Sequence, residues 1–156
     1  MKPRKLAVII LAAGKGTRMS SKTSKVLHKL AGRPLIVHLL ETLRSLSPHQ
    51  IITVVSDEQI DLHEMASGTT LALQNPPLGT GHAAAAALPL LKDTSGQDVL
   101  VVFGDTPFLT VETIEMMLEK LKGPSDPAVV VLGFRPSDPM RSEEHTSELQ
   151  SLTNLV

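Results

Sequence analysis

The sequence contains no cysteine, tryptophan or tyrosine, and only three phenylalanines. Without cysteine there is no disulfide, thiolate metal site or cysteine nucleophile, which fits the reducing cytoplasm where we expect the protein to act. Aromatic residues at 2% are too few for the stacking platforms of single-strand nucleic-acid binders. The net charge of −1 gives no basic field, so we expect no nucleic-acid partner.

Long hydrophobic runs are also missing, so we expect no membrane-spanning segment. The basic start of the chain followed by the apolar residues 6–13 imitates a signal peptide, but Lys15 and Arg18 follow at once and favour a buried strand. The 156 residues, 42% of them hydrophobic, suffice for one domain with a core.

Strand and helix patterns alternate along the chain. Apolar, β-rich segments predict strands at 6–12, 51–55, 70–73, 99–103 and 128–132. Helices are expected at 34–46, 57–65, 81–91 and 110–121, the last capped by Thr110 with Glu112 in its first turn. This alternation predicts an α/β sandwich with a mainly parallel sheet.

The first predicted strand runs into a glycine-rich, basic loop. Gly14 and Gly16 let the backbone approach an anion closely, and Lys15, Arg18 and Lys25 add positive charge. Neither the dinucleotide fingerprint G-x-G-x-x-G nor the Walker spacing is present. A simple strand-to-loop turn with solvated lysines is the alternative, but three cations after an apolar strand favour a phosphate site.

Polar side chains follow three further predicted strands, at Asp57, Gln74 and Asp105. The carboxyl ends of parallel strands share one edge of a sheet, so these positions are expected to meet the basic loop there. Asp105 is a candidate Mg²⁺ ligand opposite the phosphates, or else simply begins a turn. Gln74, with Gly79 and Thr80, could hydrogen-bond a base edge, although Thr80 could equally be an ordinary helix N-cap.

The last residues change in character. Residues 141–151 are polar, lack helical or strand period, and resemble an in-frame translation of a sequencing-library adaptor. We therefore expect a partial nucleotidyltransferase domain at 1–140 and an artefactual or disordered tail at 141–156. A genuine flexible tail is the alternative.

The motifs at 11–19 and 25–34 resemble those of the nucleotidyltransferase family of sugar-nucleotide pyrophosphorylases. Within that family, Gln74, the run L-G-T-G-H-A at 78–83 and the run V-V-F-G-D-T-P at 101–107 resemble the uridyltransferases that act on N-acetylglucosamine 1-phosphate. The first motif is shared across the family, whereas the second group is more specific.

The resemblance implies a Rossmann-like fold, incomplete at the C-terminus, and a Mg²⁺-dependent transfer that forms UDP-N-acetylglucosamine and pyrophosphate from UTP and the sugar 1-phosphate. Arg18 and Lys25 would then be catalytic, and Asp105 would bind the metal. Substrate-binding roles would fall to Leu11, Ala12, Ala13, Gly14, Lys15, Gln74, Gly79 and Thr80.

The chain departs from this family at two places. Phe103 stands where the family commonly has tyrosine, and the sugar-binding segments expected after Pro139 are absent. The resemblance also implies that full-length members form trimers through an acetyltransferase domain, which we expect to be missing from this sequence. Two alternatives stay open: a nucleotidyltransferase of the same fold for another sugar phosphate or the molybdenum cofactor, and an inactive nucleotide-binding fragment.

Overall fold

The computed structural model describes residues 4–14, 23–57, 59–92 and 96–133. The chain divides into two compact units, Met1–Leu118 and Glu119–Val156. The proposed boundary at residue 140 and the tail at 141–156 lie outside the described residues, so that domain division stays a prediction.

The first unit is built on a parallel sheet. Its strands are β1 (Lys5–Leu11), β4 (Gln50–Val55), β5 (Thr70–Leu73) and β6 (Gln97–Phe103), and a short antiparallel hairpin is made by β2 (Lys29–Leu30) and β3 (Arg33–Pro34). Within the described residues the sheet has four strands in the order β5-β4-β1-β6, all parallel. The predicted α/β class with a mainly parallel sheet is confirmed.

The helices are α1 (Leu35–Ser45), α2 (Ile60–Met65), α3 (Thr80–Ala87) and α4 (Val111–Leu121). They lie within a few residues of the predicted positions. The helix expected at 81–91 ends earlier and continues as the 3-10 turn Leu88–Leu90, because Pro89 has no amide to extend the α-helical ladder.

The core lies on both faces of the sheet, and β1 is its centre. One face of β1 packs against α1 and α4, through the buried residues Val8, Ile10, Ile36, Leu39, Leu40, Leu43 and Ile114. The other face packs against α3, through Ile9, Ile52, Val54, Ala83 and Ala87. The central strands β1 and β4 are buried from both sides, which explains why their sequences read as continuous apolar runs, whereas β6 is buried on one face only.

The strand predicted at 128–132 is wrong. Residues 127–133 have no strand structure, and Val129 and Val131 are exposed. Valine-rich composition favours an extended backbone, but a strand also needs a neighbour to accept its ladder hydrogen bonds. Composition alone could not reveal that this segment lacks one among the described residues.

No helix within the described ranges is both long enough and apolar enough to cross a bilayer.

Candidate functional site

The carboxyl ends of the parallel strands open into a cavity of about 430 Å³, a size suited to a small-molecule ligand. Segments from the ends of β1, β5 and β6, from the 3-10 turn Lys25–Leu27 and from the start of α3 surround it. The lining residues are Leu11, Ala12, Ala13, Gly14, Lys25, Val26, Gln74, Pro77, Gly79, Thr80, Ala83, Phe103 and Asp105.

Most candidate residues from the sequence therefore lie around one cavity. They are Leu11, Ala12, Ala13, Gly14, Lys25, Gln74, Gly79, Thr80 and Asp105, and their individual roles remain predictions. Lys15 and Arg18 lie outside the described residues. Asp57 follows β4 as expected, but its carboxylate accepts a hydrogen bond from the Asn75 amide and it is not among the lining residues.

The exit of β1 is held by backbone hydrogen bonds to both neighbouring strands. The amide of Ala12 donates to the Val54 carbonyl at 2.9 Å, and the amide of Gly104 donates to the Leu11 carbonyl at 2.9 Å. Ala12 and Ala13 are buried, whereas Gly14 is exposed and has open space where a side chain would be. The backbone is thus held by hydrogen bonds where β1 meets the cavity, and it becomes accessible to a ligand at Gly14.

Lys25 and Asp105 form an ion pair at the cavity, with Nζ 2.5 Å from the carboxylate. Both side chains are partly exposed, at 47% and 27%, so ligands can reach them. The pair places one positive and one negative group within a single ligand's length. Such an arrangement can bind a phosphate through Lys25 and a hard cation through Asp105.

Gly104 lies between the two members of this ion pair and the β1 exit in the packing of the site. A Cβ built on Gly104 would lie 2.9 Å from Val26 Cγ1 and 3.3 Å from Ala12 Cβ, both too close. Val26 is buried against this backbone, and it is the residue after Lys25. The missing side chain at Gly104 therefore lets Val26, the neighbour of Lys25, pack closely on the backbone just before Asp105.

Gln74 organises the loop before α3. Its backbone amide donates to the Val55 carbonyl at 2.8 Å, and its Nε2 donates to the Gly79 carbonyl at 3.0 Å and lies 3.1 Å from His82 Nδ1. Gly79, at φ 101° and ψ 179°, has a conformation open essentially to glycine alone. Gly79 occupies the N-cap position of α3 and Thr80 is the first helical residue, so Thr80 is not the N-cap.

A divalent cation at Asp105 fits the residues present. Among the described residues there is no cluster of three or more histidines or carboxylates that could enclose a metal by itself. Mg²⁺ commonly binds one or two carboxylates and completes its shell with substrate phosphates and water. Asp105, accessible in a cavity beside a lysine, suits that shared mode of binding.

Sequence reasoning missed Gln59, a buried residue just before α2 that contacts two segments of the cavity wall. It lies in a polar stretch after β4 that resembles any solvated loop. No periodicity or motif could have indicated its burial.

The family is shown by a match to the MobA-like NTP transferase domain over residues 8–152. The chain belongs to this family. Its mixed α/β, Rossmann-like architecture is that of the nucleotidyltransferases, as the resemblance implied.

Two curated relatives carry the name bifunctional protein GlmU. The one from Paramagnetospirillum magneticum is 50% identical over 139 residues, which is 89% of this chain and 31% of the relative. The one from Sphingopyxis alaskensis is 48% identical over 137 residues, 87% of this chain and 30% of the relative. This chain of the NTP transferase family thus spans about a third of the length of these relatives.

A solved structure of Rv0371c from Mycobacterium tuberculosis H37Rv in complex with manganese has the same fold. Its TM-score is 0.60 at 16% identity, and the match covers 74% of this chain and 58% of that one. At this identity the likeness shows the fold alone.

Proposed function

We propose that this chain is the nucleotide-binding part of a uridyltransferase that forms UDP-N-acetylglucosamine and pyrophosphate from UTP and N-acetylglucosamine 1-phosphate. The observation that carries the proposal is the single cavity that joins the β1 exit, the Gln74–Gly79 loop and the Lys25–Asp105 pair. The two GlmU relatives, at 50% and 48% identity, support nucleotidyl transfer, and the resemblance of residues 78–83 and 101–107 is the reason for this choice of substrates.

The loop before α3 would recognise uracil. Because Gln74 Nε2 already donates to the Gly79 carbonyl, the Gln74 Oε1 is the atom we expect to accept a hydrogen bond from the base. Gly79 and Thr80 would complete the contact from the same rigid turn. The base would thus be read by groups that are already ordered, which lowers the entropy cost of binding.

The β1 exit and the cations would hold the phosphates. Backbone groups at 11–14 would contact the nucleotide, Lys15 and Arg18 would bind the leaving pyrophosphate, and Lys25 would bind phosphate at the reacting centre. Such a transfer needs no protein nucleophile, because the sugar phosphate oxygen attacks the α-phosphate directly. The protein contributes alignment and neutralisation of negative charge.

Asp105 would hold a divalent cation, Mg²⁺ in our proposal, together with phosphate oxygens of the nucleotide. Once bound, the ion would withdraw charge from the phosphates and favour departure of pyrophosphate. Asp105 is then a ligand and not a proton donor. Manganese in the fold relative Rv0371c supports a divalent ion in this architecture.

Other substrates define the competing hypotheses. The same fold could serve another sugar phosphate or the molybdenum cofactor, or this chain could bind a nucleotide without turnover. In the longer relatives an acetyltransferase domain that forms trimers would act beside the uridyltransferase part. The cavity described here concerns only the nucleotide half of such a protein.

Titration of the purified chain with UTP and Mg²⁺, in parallel with GTP, CTP and ATP, tests the proposal. Selective binding of UTP supports a uridyltransferase site. Selective binding of another nucleotide contradicts it and favours a different member of the family. Release of pyrophosphate from UTP and N-acetylglucosamine 1-phosphate then separates turnover from binding alone.

A further inference from the structure

We infer that Gln59 is a positioning residue for the nucleotide site, holding Lys25 where it meets Asp105. The inference rests on the proposed function, since it assigns Lys25 to a phosphate. Within the described residues, the side-chain hydrogen bonds of Gln59 go to Ala12, Ser24 and Ser56, and not to Lys25 or Asp105. Gln59 acts through Ser24, the residue before Lys25.

The side-chain amide of Gln59 joins three separate segments. Its Nε2 donates to the Ala12 carbonyl at 2.9 Å and to Ser24 Oγ at 2.7 Å, and its Oε1 accepts from the Ser56 amide at 2.9 Å. The residue is only 7% exposed. A buried amide that uses both its donor and acceptor groups is costly to leave unpaired, so the three segments are held together.

Ser24 carries this restraint to Lys25. Its carbonyl accepts from the Leu27 amide at 2.9 Å and thereby begins the 3-10 turn Lys25–Leu27. Its hydroxyl does not cap that turn and instead accepts from Gln59. Gln59 therefore fixes the start of the turn that presents Lys25.

A second contact holds the other side of Lys25, where the buried Val26 packs on Gly104. Lys25 thus lies between two anchored neighbours, and its own side chain is 47% exposed. The Gln59 side chain that holds Ser24 also donates to the Ala12 carbonyl at the β1 exit. One amide thereby aligns both phosphate-binding segments of the proposed site.

Reactivity of Lys25 toward an amine acylating reagent, read by mass spectrometry, tests the inference without any ligand. In Gln59→Met we expect Lys25 to react about three- to tenfold faster, the range that loss of one hydrogen bond produces. Ser24→Ala removes only the Ser24 contact and, with less risk to folding, should have the same effect. The double variant should add little to either single one, because both break the same link.

Gln50 provides the matched control. It is also a buried glutamine, and its amide bridges the Leu90 carbonyl and the Lys92 amide at the opposite end of β4 from the cavity. Gln50→Met should lower the melting temperature as Gln59→Met does, yet leave Lys25 reactivity unchanged. Ser24→Thr, which keeps the hydroxyl, should behave as the wild type.

Binding of UTP with Mg²⁺ supplies the second measurement. We expect Gln59→Met and Ser24→Ala to weaken it about three- to tenfold and Gln50→Met to leave it unchanged. Unaltered Lys25 reactivity in both Gln59→Met and Ser24→Ala overturns the inference even where UTP binds well. Altered reactivity in a protein that binds no UTP upholds the positioning role and instead contradicts the proposed function.

Discussion

Lys25 and Asp105 satisfy each other's charge at the cavity, and this has a consequence for the order in which ligands bind. A cation that binds Asp105 must compete with the Lys25 ammonium, and a phosphate that binds Lys25 must compete with the Asp105 carboxylate. A cation alone therefore leaves Lys25 without its carboxylate partner, and a phosphate alone leaves Asp105 without its ammonium partner. When metal and nucleotide bind together, Asp105 gains the cation and Lys25 gains a phosphate, so each ligand should increase the affinity for the other.

Lys25→Ala should strengthen binding of Mn²⁺ alone, because the competing ammonium is gone. Since the pair is partly exposed, we expect a gain of about two- to fivefold. Asp105→Asn should abolish Mn²⁺ binding at the cavity and raise the affinity for metal-free pyrophosphate by a similar factor. Electron paramagnetic resonance follows the metal, and calorimetry follows pyrophosphate.

Arg33→Ala is the control for these variants, because it removes a different ion pair, that between Arg33 and Glu41 on the exposed surface. It should change neither affinity. If Lys25→Ala binds Mn²⁺ no better than the wild type does, the proposed competition between Mn²⁺ and Lys25 for Asp105 is contradicted.

Turnover gives an independent test of Lys25 in a longer relative that carries the same motif. Lys25→Ala there should lower the rate by about 10²-fold or more, the scale seen when one group that stabilises developing charge is removed. Steady-state kinetics measures this. A near-normal rate would remove Lys25 from the reacting centre.

At the scale of the elements, the turn after β6 shows how close backbone packing shapes a site. Gly104 lies where Val26 and the β1 exit converge, and a Cβ at this position would lie 2.9 Å from Val26 Cγ1, closer than packed side chains approach. The 3-10 turn, β1 and the end of β6 therefore approach each other closely at a position where glycine avoids a clash with Val26. The carboxylate of Asp105, immediately after this glycine, lines the cavity and pairs with Lys25 there.

Gly104→Ala should destabilise the fold by about 1–3 kcal/mol, because the new methyl must displace Val26. It should also weaken nucleotide binding, since Lys25 moves with Val26. Denaturant unfolding measures the first effect and titration the second. Combining Gly104→Ala with Val26→Ala should recover part of the nucleotide affinity by making room.

Gly81→Ala is the control for crowding. Gly81 lies in α3 with nothing near its would-be Cβ, so alanine should stabilise the helix by about 0.5–1 kcal/mol. Equal losses in Gly81→Ala and Gly104→Ala would contradict the steric explanation.

The start of α4 is a second element whose behaviour can be tested. The Thr113 amide donates to Thr110 Oγ1 at 3.3 Å, as expected of an N-cap. The backbone amide of Glu112, followed by the Thr110 hydroxyl, holds the pKa of the Glu112 carboxyl below its ordinary value of 4.5. Because the pKa of Glu112 is lower in the folded state than in the unfolded chain, the ionised carboxylate stabilises the fold above about pH 4.5. This stabilisation is lost as the pH falls through the pKa of the folded state.

Thr110→Ala should reduce stability at neutral pH by about 0.5–2 kcal/mol, because the cap is lost. It should also move the pKa of Glu112 back toward 4.5, so that less of the stability is lost on acidification. NMR titration of the Glu112 carboxyl measures this. Thr110→Ser keeps the hydroxyl and should preserve both properties, and an unchanged pKa in Thr110→Ala would exclude the cap as a cause.

At the scale of the whole molecule, one face of strand β6 carries exposed apolar side chains. In the part of the chain that the structure describes, β6 has β1 as its one strand neighbour. Val99, Val101 and Phe103 point to the face on which α3 packs over β1, β4 and β5, and they are 41%, 48% and 51% exposed. An edge strand with an exposed apolar face is prone to pair with other chains.

Replacing Val99 and Val101 by lysine should therefore raise the concentration at which the chain self-associates. Light scattering across a dilution series measures this. Val129→Lys with Val131→Lys adds the same charge at exposed positions outside any strand and should help less. Equal gains from both pairs would point to net charge, and not to the β6 edge.

The fold was largely predictable because its signals are local. Continuous apolar runs mark the strands of the parallel sheet, and the spacing of Leu39, Leu40 and Leu43 marks the buried face of α1. Placing Asp105 and Gln74 beside the β1 exit needed only the rule that parallel strands end at one edge. The strand expected at 128–132 failed because strand formation depends on a partner, which composition does not report.

The sequence by itself determined the α/β class, the glycine that follows β1 and the carboxylate that follows β6, since each depends on residue type and short-range spacing. Only the tertiary structure decided that Lys25 pairs with Asp105, that Gly104 admits Val26 and that Gln59 ties Ser24 to Ala12. Those contacts join residues from different parts of the chain at distances of a few ångströms. Such proximity arises from how the elements pack together, and local sequence does not encode it.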